Sequence, residues 1–383
     1  MLSRVERNKI KKAKYEQIST DIVLALLALI VIGVGLLKAN MTHADKFSKN
    51  TTINHVKVDN MSIKEATKAV NQKGINQVVL QNGNLVIIRT MKPLKVTTKD
   101  IKPLLKQHGT LYTKKLNTAK DKLTKLQHKT FKYKLNDHTY KLRPAKLISR
   151  ITYKNGKYHF RGTKKLEQKL IAIQRKQASA SRQYAFKMPN GRKAKIKNMS
   201  YGWMINVPMT QKAILKAIKS SKTTIDSKKY LIGTNYSQPN LPLGYGKSNH
   251  GLGKNYVVVS LKDQELWVIK NNKTVVHLNN VVTGTAKNGD HDQTPKGVWY
   301  ILYKQSPSIL RGKNSDGSDY ASKVQYWMPF TTDGCGLHDA SWRSNWSKTA
   351  YLYDGSHGCV NIKPTEIKRV WQNVKTFEPV IVY

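Results

Sequence analysis

The sequence predicts an α+β protein: one N-terminal transmembrane helix, a basic α+β domain and a mainly-β C-terminal domain. Three observations predict it. Ile22 to Leu37 is a sixteen-residue run without a charge, residues from about 54 to 235 mix helical spacing with short alternating runs, and runs of Val, Ile, Leu, Tyr and Trp dominate beyond residue 254. With 383 residues, 39% of them hydrophobic, the chain can bury two cores. Its two cysteines exclude a disulfide framework.

The apolar run comes first. As a helix it is about 24 Å long against a hydrocarbon core of ~30 Å, and Lys38, Ile18 and Tyr15 extend it at the ends. Arg4, Arg7, Lys9, Lys11, Lys12 and Lys14 precede it against Glu6, Glu16 and Asp21. The positive-inside rule then makes residues 1–21 a cytoplasmic basic tail, 22–38 a single-pass plasma-membrane anchor, and everything after it extracellular. The alternative is a cleaved signal peptide with a weak site at Thr42-His43-Ala44.

Residues 39–52 are polar and are expected to form a stalk. The basic α+β domain is drawn over 53–235. Ser62 and Glu65 read as a capping box opening a helix that buries Ala66 and Val70 and closes at Gly74. Strands are expected from Val78 to Thr98 around Asn82-Gly83, a basic helix over 101–130, and strands over 131–162 with turns at Asn136-Asp137 and Asn155-Gly156. Helices follow over 164–177 and from a Thr210 cap through Ala213, Ile214, Ala217 and Ile218. The stretch 236–253 is rich in Gly, Pro, Ser and Asn and reads as a linker.

The C-terminal domain, 254–383, begins with strands Tyr256–Leu261, Leu266–Ile269 and Thr274–Leu278, the last two joined at Asn271-Asn272. Val298–Tyr303 and an edge-like Val380–Tyr383 are further strands, and a helix starts near Pro364 with Ile367, Val370, Trp371 and Val374 inward.

The net charge of +46 is uneven. From Gly251 onward there are 16 basic and 11 acidic residues, so +41 of the total lies in the first 250. Such a field attracts polyanions over about 8 Å at physiological salt. Nucleic acid, anionic lipid and wall teichoic acid all satisfy the charge. An extracellular position argues against nucleic acid and leaves anionic wall or membrane polymers.

The residues with chemistry lie in Asp333-Gly334-Cys335-Gly336-Leu337-His338-Asp339 and Asp354-Gly355-Ser356-His357-Gly358-Cys359-Val360-Asn361-Ile362. Cys359, after a Ser-His-Gly turn and before an apolar run, is placed to act as a nucleophile. A thiol needs a nearby base or cation, and His338 and His357 are the nearest imidazoles in sequence. Gly358 lets the backbone approach a ligand and aim N–H groups at an oxyanion. Together these are the parts of an acyl transfer. Cys335, His338, His357 and Cys359 could instead be four zinc ligands, and Cys335–Cys359 could be a disulfide; alone, Cys335 reads as a packing residue. Asp339 could orient His338 or be a solvated carboxylate. His250, His277 and His291 read as surface residues, Trp299, Trp327 and Trp342 as core, and Tyr351 and Tyr353 as candidates to line a cleft.

Ser356-His357-Gly358-Cys359-Val360-Asn361 resembles the Ser-His-Gly-Cys signature of the L,D-transpeptidase family. NYVVVSLKDQELWVI at 255–269, VVTGTAKN at 281–288, TPKGVWYI at 294–301 and GLHDASW at 336–342 support it in the family's order. VDNMSIKEA, FKYKLNDHTYKL and FKMPNGRKAKIKNMSYGWMIN more loosely resemble the peptidoglycan-binding domain fused ahead of such enzymes. Many members have Arg two positions after the Cys; here it is Asn361.

The resemblance implies an enzyme at the outer face of a Gram-positive plasma membrane, acting on peptidoglycan stem peptides. Cys359 attacks the third-residue carbonyl of a stem tetrapeptide, D-alanine leaves, and a neighbouring amine resolves the thioester into a 3→3 cross-link. His338 is the general base and acid, and His357 an auxiliary. Backbone N–H groups of Gly358 and Cys359 hold the oxyanion, and Ser356, Asn361 and Tyr353 contact substrate. No metal or organic cofactor is implied. An L,D-carboxypeptidase using water, or a catalytically silent wall-binding anchor, are the alternatives.

Overall fold

A computed structural model describes residues 4–73, 77–88, 95–234, 241–286, 292–313 and 317–383. The chain divides into two compact units, residues 1–129 with 143–163, and residues 130–142 with 164–383.

The first unit opens with a 41-residue helix, Arg4–Ala44. Its portion Arg4–Ile32 is, among the described residues, the one helix long and apolar enough to cross a membrane. Leu24, Leu27 and Ile30 lie exposed on it, as in a membrane span or a signal sequence. The expected stalk is not a free tether at its far end. Phe47 is buried and its N–H donates to the Met61 carbonyl at 2.9 Å.

The Ser62–Glu65 capping box forms as read, with the Ser62 N–H donating to Glu65 Oε2 at 2.8 Å, and Ala66 and Val70 are buried on the helix Ile63–Gln72. Gly74 lies outside the described residues. The single helix expected over 101–130 is instead broken. Thr98–Ile101 is one α-helical turn, Lys102–Leu104 a 3-10 turn, and Thr110–Leu111 a short strand, before a helix at Lys114–His128. Pro103 cannot supply the helical N–H, and Gly109 takes φ +83, so the backbone turns there. The long helix packs Leu116, Ala119, Leu123 and Leu126 toward a four-stranded antiparallel sheet. Asn82-Gly83 and Asn155-Gly156 make its hairpin turns with positive φ at both residues.

The second unit takes in part of the segment read as one basic domain. Residues 131–142 form a hairpin, with Thr224–Asp226 parallel to it. Lys164–Gln177 is helical as expected. The following helix starts at Val207 with Asn206 as its cap, and Thr210 is buried inside it; the Asn206 side chain accepts the Met209 N–H at 3.0 Å and Pro208 fits the first turn. The hairpin Gln183–Lys187 and Lys193–Lys197 packs Phe186 and Ile196 with Tyr201 onto Trp267, Ile269, Val298 and Tyr300. Its other face pairs Lys187 with Lys193, Ala185 with Lys195 and Gln183 with Lys197, all exposed. The described part of the expected linker, 241–253, joins the same core through Leu243 and Leu252, and Tyr201 Oη donates to the Gly251 carbonyl at 2.7 Å.

The C-terminal domain is built on a five-stranded sheet in the order Lys273–Leu278, Glu265–Lys270, Tyr256–Ser260, Pro379–Val382, Gly297–Tyr300. The last strand, expected at an edge, is interior, parallel to Tyr256–Ser260 and antiparallel to Gly297–Tyr300. Its four residues are all buried, which an unbroken apolar run signals better than an edge does. A three-stranded sheet, Trp327–Pro329, Gly336–Asp339 and Val360–Ile362, shares a core with the first. The helix Pro364–Asn373 lays Ile367 and Val370 on that core, and Lys304 Nζ caps its end through the carbonyls of Trp371 at 2.6 Å and Val374 at 2.7 Å.

Candidate active site

The Val360–Ile362 strand runs parallel to Gly336–Asp339, with Leu337 opposite Val360 and His338 opposite Asn361. Leu337, Val360 and Ile362 are fully buried in the core. Side chains alternate along a strand, so His338 and Asn361 share the other face, and Cys359 immediately precedes the strand. With strands about 4.8 Å apart and a rise of about 3.3 Å per residue, the Cα atoms of His338 and Cys359 lie roughly 8 Å apart. A thiol and an imidazole can meet across that span.

Cys359 is half-buried, and its Sγ–H points to the Gly334 carbonyl at 3.5 Å. Burial pushes the thiol up to about 12, the neighbouring Cys335 adds to the shift, and the Gly336 N–H opposes it. Cys335 is buried in the core, pushed up to about 11 by burial, and both thiols are free. The resting sulfur at neutral pH is therefore a thiol and needs a base at the moment of attack.

The turn before Cys359 is fixed from both sides. Ser356 Oγ donates to the Cys359 carbonyl at 2.6 Å and accepts the Gly358 N–H at 3.1 Å. Thr294, buried, donates to the Gly358 carbonyl at 2.8 Å and accepts the Gly284 N–H at 2.9 Å. Gly358 has φ +111, and a Cβ there would lie 2.8 Å from Cys335 Sγ. The Gly358 N–H is bonded to Ser356 Oγ, and the Cys359 N–H is held opposite the Gly358 carbonyl by the trans peptide. Ser356 thus closes the turn from within.

His338 is buried, and its Nδ1–H donates to the Asp339 carbonyl at 2.9 Å. Burial lowers its pKa and the Arg343 charge reinforces this, against the Asp339 carbonyl and carboxylate. The Asp339 carboxylate is not solvated: it accepts the Gln325 N–H at 2.9 Å and the Tyr326 N–H at 2.8 Å. Trp327 and Trp342 flank the imidazole, each with ring centroids at 5.8 Å. Trp327 is core as read; Trp342 is 52% exposed, because its indole covers the open side of His338.

Asn361 is buried beside His338. The amide orientation that satisfies its neighbours places Oδ1 on Arg343 Nε at 3.0 Å and Nη2 at 3.2 Å, and Nδ2 on His338 Nε2 at 3.2 Å. Both ends of the amide are bonded within the protein. His357 is exposed and stacks on Tyr320 at 5.5 Å, away from the base. Tyr353 is 78% exposed and outside the cleft lining; Tyr351 lines a smaller cavity with Thr283 and Thr294.

A cleft of about 1020 Å³ opens over the sulfur, between Tyr303, Trp327, Asp339 and Cys359 and the hairpin Ser308–Lys313 with Asp319–Val324. The sequence signals no element there, since the hairpin's strands alternate half-buried and exposed residues without an apolar run. Ile309, Arg311, Tyr320 and Lys323 line the cleft from it. Thr294 and Arg343 are also positions that sequence reasoning misses, because their partners come from distant strands.

Among the described residues, no group of three or more His, Cys, Asp or Glu is placed to hold a metal ion. Cys335, His338, His357 and Cys359 do not form such a group, and His357 stacks on Tyr320.

Residues 254–382 match the family model "YkuD: L,D-transpeptidase catalytic domain". No curated protein matches the chain. Among solved structures, the Ldtfm–avibactam carbamoyl enzyme is 25% identical over 69% of this chain and 98% of its own, with a TM-score of 0.54. A cysteine-to-serine mutant of the Enterococcus faecium L,D-transpeptidase is 24% identical over the same 69% and 98%, also with a TM-score of 0.54. The catalytic domain of the E. faecium enzyme alone is 34% identical, covering 34% of this chain and 96% of that one, with a TM-score of 0.31.

Proposed function

Since the chain belongs, through residues 254–382, to the L,D-transpeptidase family, we propose that it forms 3→3 peptidoglycan cross-links through a thioester on Cys359. The placement of Cys359 at the cleft floor, one strand pleat from His338, carries this reading.

The chemistry follows from the resting state of the pair. A neutral imidazole accepts the thiol proton as sulfur attacks the stem carbonyl, so the C–S bond forms while the S–H bond breaks. The carbonyl oxygen becomes an oxyanion facing the Cys359 N–H. Collapse breaks the C–N bond, and the imidazolium returns its proton to the departing D-alanine amine. An amine of a second stem then attacks the thioester, gives its surplus proton to His338, and releases the sulfur, which recovers the proton. Arg311 and Lys323, on the hairpin over the cleft, suit the free carboxylates of stem peptides.

The N-terminal helix supports a membrane anchor with its basic end cytoplasmic and the folded part facing the wall. The lysine face of the Gln183–Lys197 hairpin, where Lys187 opposes Lys193 and Lys195 and Lys197 follow along the strand, supports attraction to an anionic wall polymer.

Incubating the full chain with disaccharide-tetrapeptide and weighing the products tests the reading. Cross-linked dimers that vanish in Cys359→Ala are expected. Tripeptide without dimers would reassign the chain as a carboxypeptidase, and unchanged products from Cys359→Ala would end the thioester mechanism.

A further inference from the structure

Behind His338 lies a chain of groups whose donor and acceptor roles are all forced. Arg343 has 6% of its side chain exposed, and its Nη1 donates to the Asp354 carbonyl at 2.5 Å and to Asp354 Oδ2 at 2.9 Å. A guanidinium is always charged at neutral pH and only donates, so the end of the Asn361 amide that meets its Nε and Nη2 must be Oδ1. An amide has one accepting end, so Nδ2, which only donates, is left facing His338 Nε2 at 3.2 Å. Nε2 must then carry its lone pair. On the far side of the ring the Asp339 carbonyl only accepts, so Nδ1 must carry the proton.

We infer that Arg343 is a positioning residue which, through Asn361, holds His338 in the neutral tautomer protonated on Nδ1, with the Nε2 lone pair accepting the Asn361 Nδ2–H at rest and released by that amide when it takes up the thiol proton. An imidazolium would set its Nε2–H against the Asn361 Nδ2 hydrogens. Relieving that by turning the amide over would set Nδ2 against Arg343 instead. The relay thus raises the energy of the protonated ring whichever way the amide points, so the base is empty at rest and gives its proton up readily to the leaving amine.

The groups facing the imidazole agree with this. Asp339 comes from its own strand, with its carboxylate occupied by Gln325 and Tyr326. Trp327 comes from the neighbouring strand, Trp342 and Arg343 from the following loop, and Asn361 from the parallel strand. The one other carboxylate of this network, Asp354, is engaged by Arg343.

This inference rests on His338 being the base for Cys359, and its test reads the ring rather than the product. Selective ¹⁵N-histidine labelling of the full chain, with His338 assigned through His338→Gln, reports which nitrogen is protonated. The wild-type chain is expected to show Nδ1–H alone at neutral pH. In Arg343→Met the amide is free to turn, so Nε2–H and imidazolium signals appear, the acidic limb of the pH–rate profile moves to higher pH, and kcat falls on the order of tenfold. Arg343→Lys keeps the charge but one ammonium replaces the fork, and partial retention of the Nδ1–H signal is expected. Should Arg343→Met not fold, Asn361→Asp decides: a carboxylate accepts from both neighbours, and His338 should become doubly protonated at neutral pH. Unchanged His338 signals in a folded Arg343→Met or Asn361→Asp chain overturn the relay, while turnover surviving Cys359→Ala would overturn the thioester reading instead.

Discussion

Thr294 holds Gly358 by its carbonyl, the hydroxyl donating at 2.8 Å while it accepts the Gly284 N–H at 2.9 Å. One buried side chain thereby fixes the peptide plane between Gly358 and Cys359, and under the proposed mechanism this plane orients the Cys359 N–H. Thr294→Val keeps the shape and removes both bonds. It should cost about 1–3 kcal/mol, because two buried backbone groups lose their partner. Activity should fall roughly 10–100-fold through misplacement of the donor. A variant with wild-type kcat would show that the plane is set elsewhere.

Gly358→Ala meets two obstacles at once, a φ of +111 and the Cys335 sulfur 2.8 Å from the new Cβ. The expected loss is about 2–4 kcal/mol, from left-handed backbone strain plus overpacking. Thermal melting of Gly358→Ala with and without Cys335→Ala separates the two. If the double variant is no more stable than the single one, the sulfur contact contributes nothing.

The two shifted groups set the pH dependence. Burial lowers the pKa of His338 beneath its usual 6.5, so the neutral base persists as pH falls and activity is lost only below the range of an ordinary histidine. Burial pushes Cys359 up to about 12, so its alkylation by iodoacetamide should keep rising with pH well beyond neutrality. An acidic limb at or above 6.5, or an alkylation rate that plateaus near pH 7, would contradict the neutral pair.

Asp339→Asn replaces a carboxylate that accepts two backbone N–H bonds, from Gln325 and Tyr326. The amide can accept at one end only, leaving a donor against a donor, and about 2–3 kcal/mol of stability should go with it. The Asp339 carbonyl that holds Nδ1 would shift too, so KM should change less than kcat. Wild-type melting would refute this role.

Changing Lys187, Lys193, Lys195 and Lys197 together to Gln removes the exposed ladder without touching the apolar face of that hairpin. Retention on a poly(glycerol phosphate) matrix should drop and lose salt sensitivity, while turnover of soluble substrate stays. Equal retention would assign the attraction to other basic surfaces of the chain.

How far the sequence is legible depends on whether a signal is local. The Ser62–Glu65 box, the Asn-Gly turns and the Ser-His-Gly-Cys turn are written within a few residues, and the structure forms all of them. Pro103 and Gly109 are equally visible and break the basic helix read across them, since proline supplies no helical N–H and Gly109 turns the backbone. Thr210 looked like a cap, yet Asn206 and Pro208 supplied a better start four residues earlier. At the site, Cys359 and His338 stand out by residue type. Arg343, Thr294 and Trp342 acquire roles only when strands far apart in sequence come together, and the hairpin over the cleft has no apolar run to announce it.

The opening helix has a consequence for reach. At about 1.5 Å per residue its 41 residues extend roughly 60 Å, twice the thickness of a bilayer's oily interior. Only Asp45 and Lys46 separate its last residue from Phe47, which is already sealed into the first unit. Under the proposed anchoring such a leash has almost no slack. The first unit would ride close above the lipid headgroups.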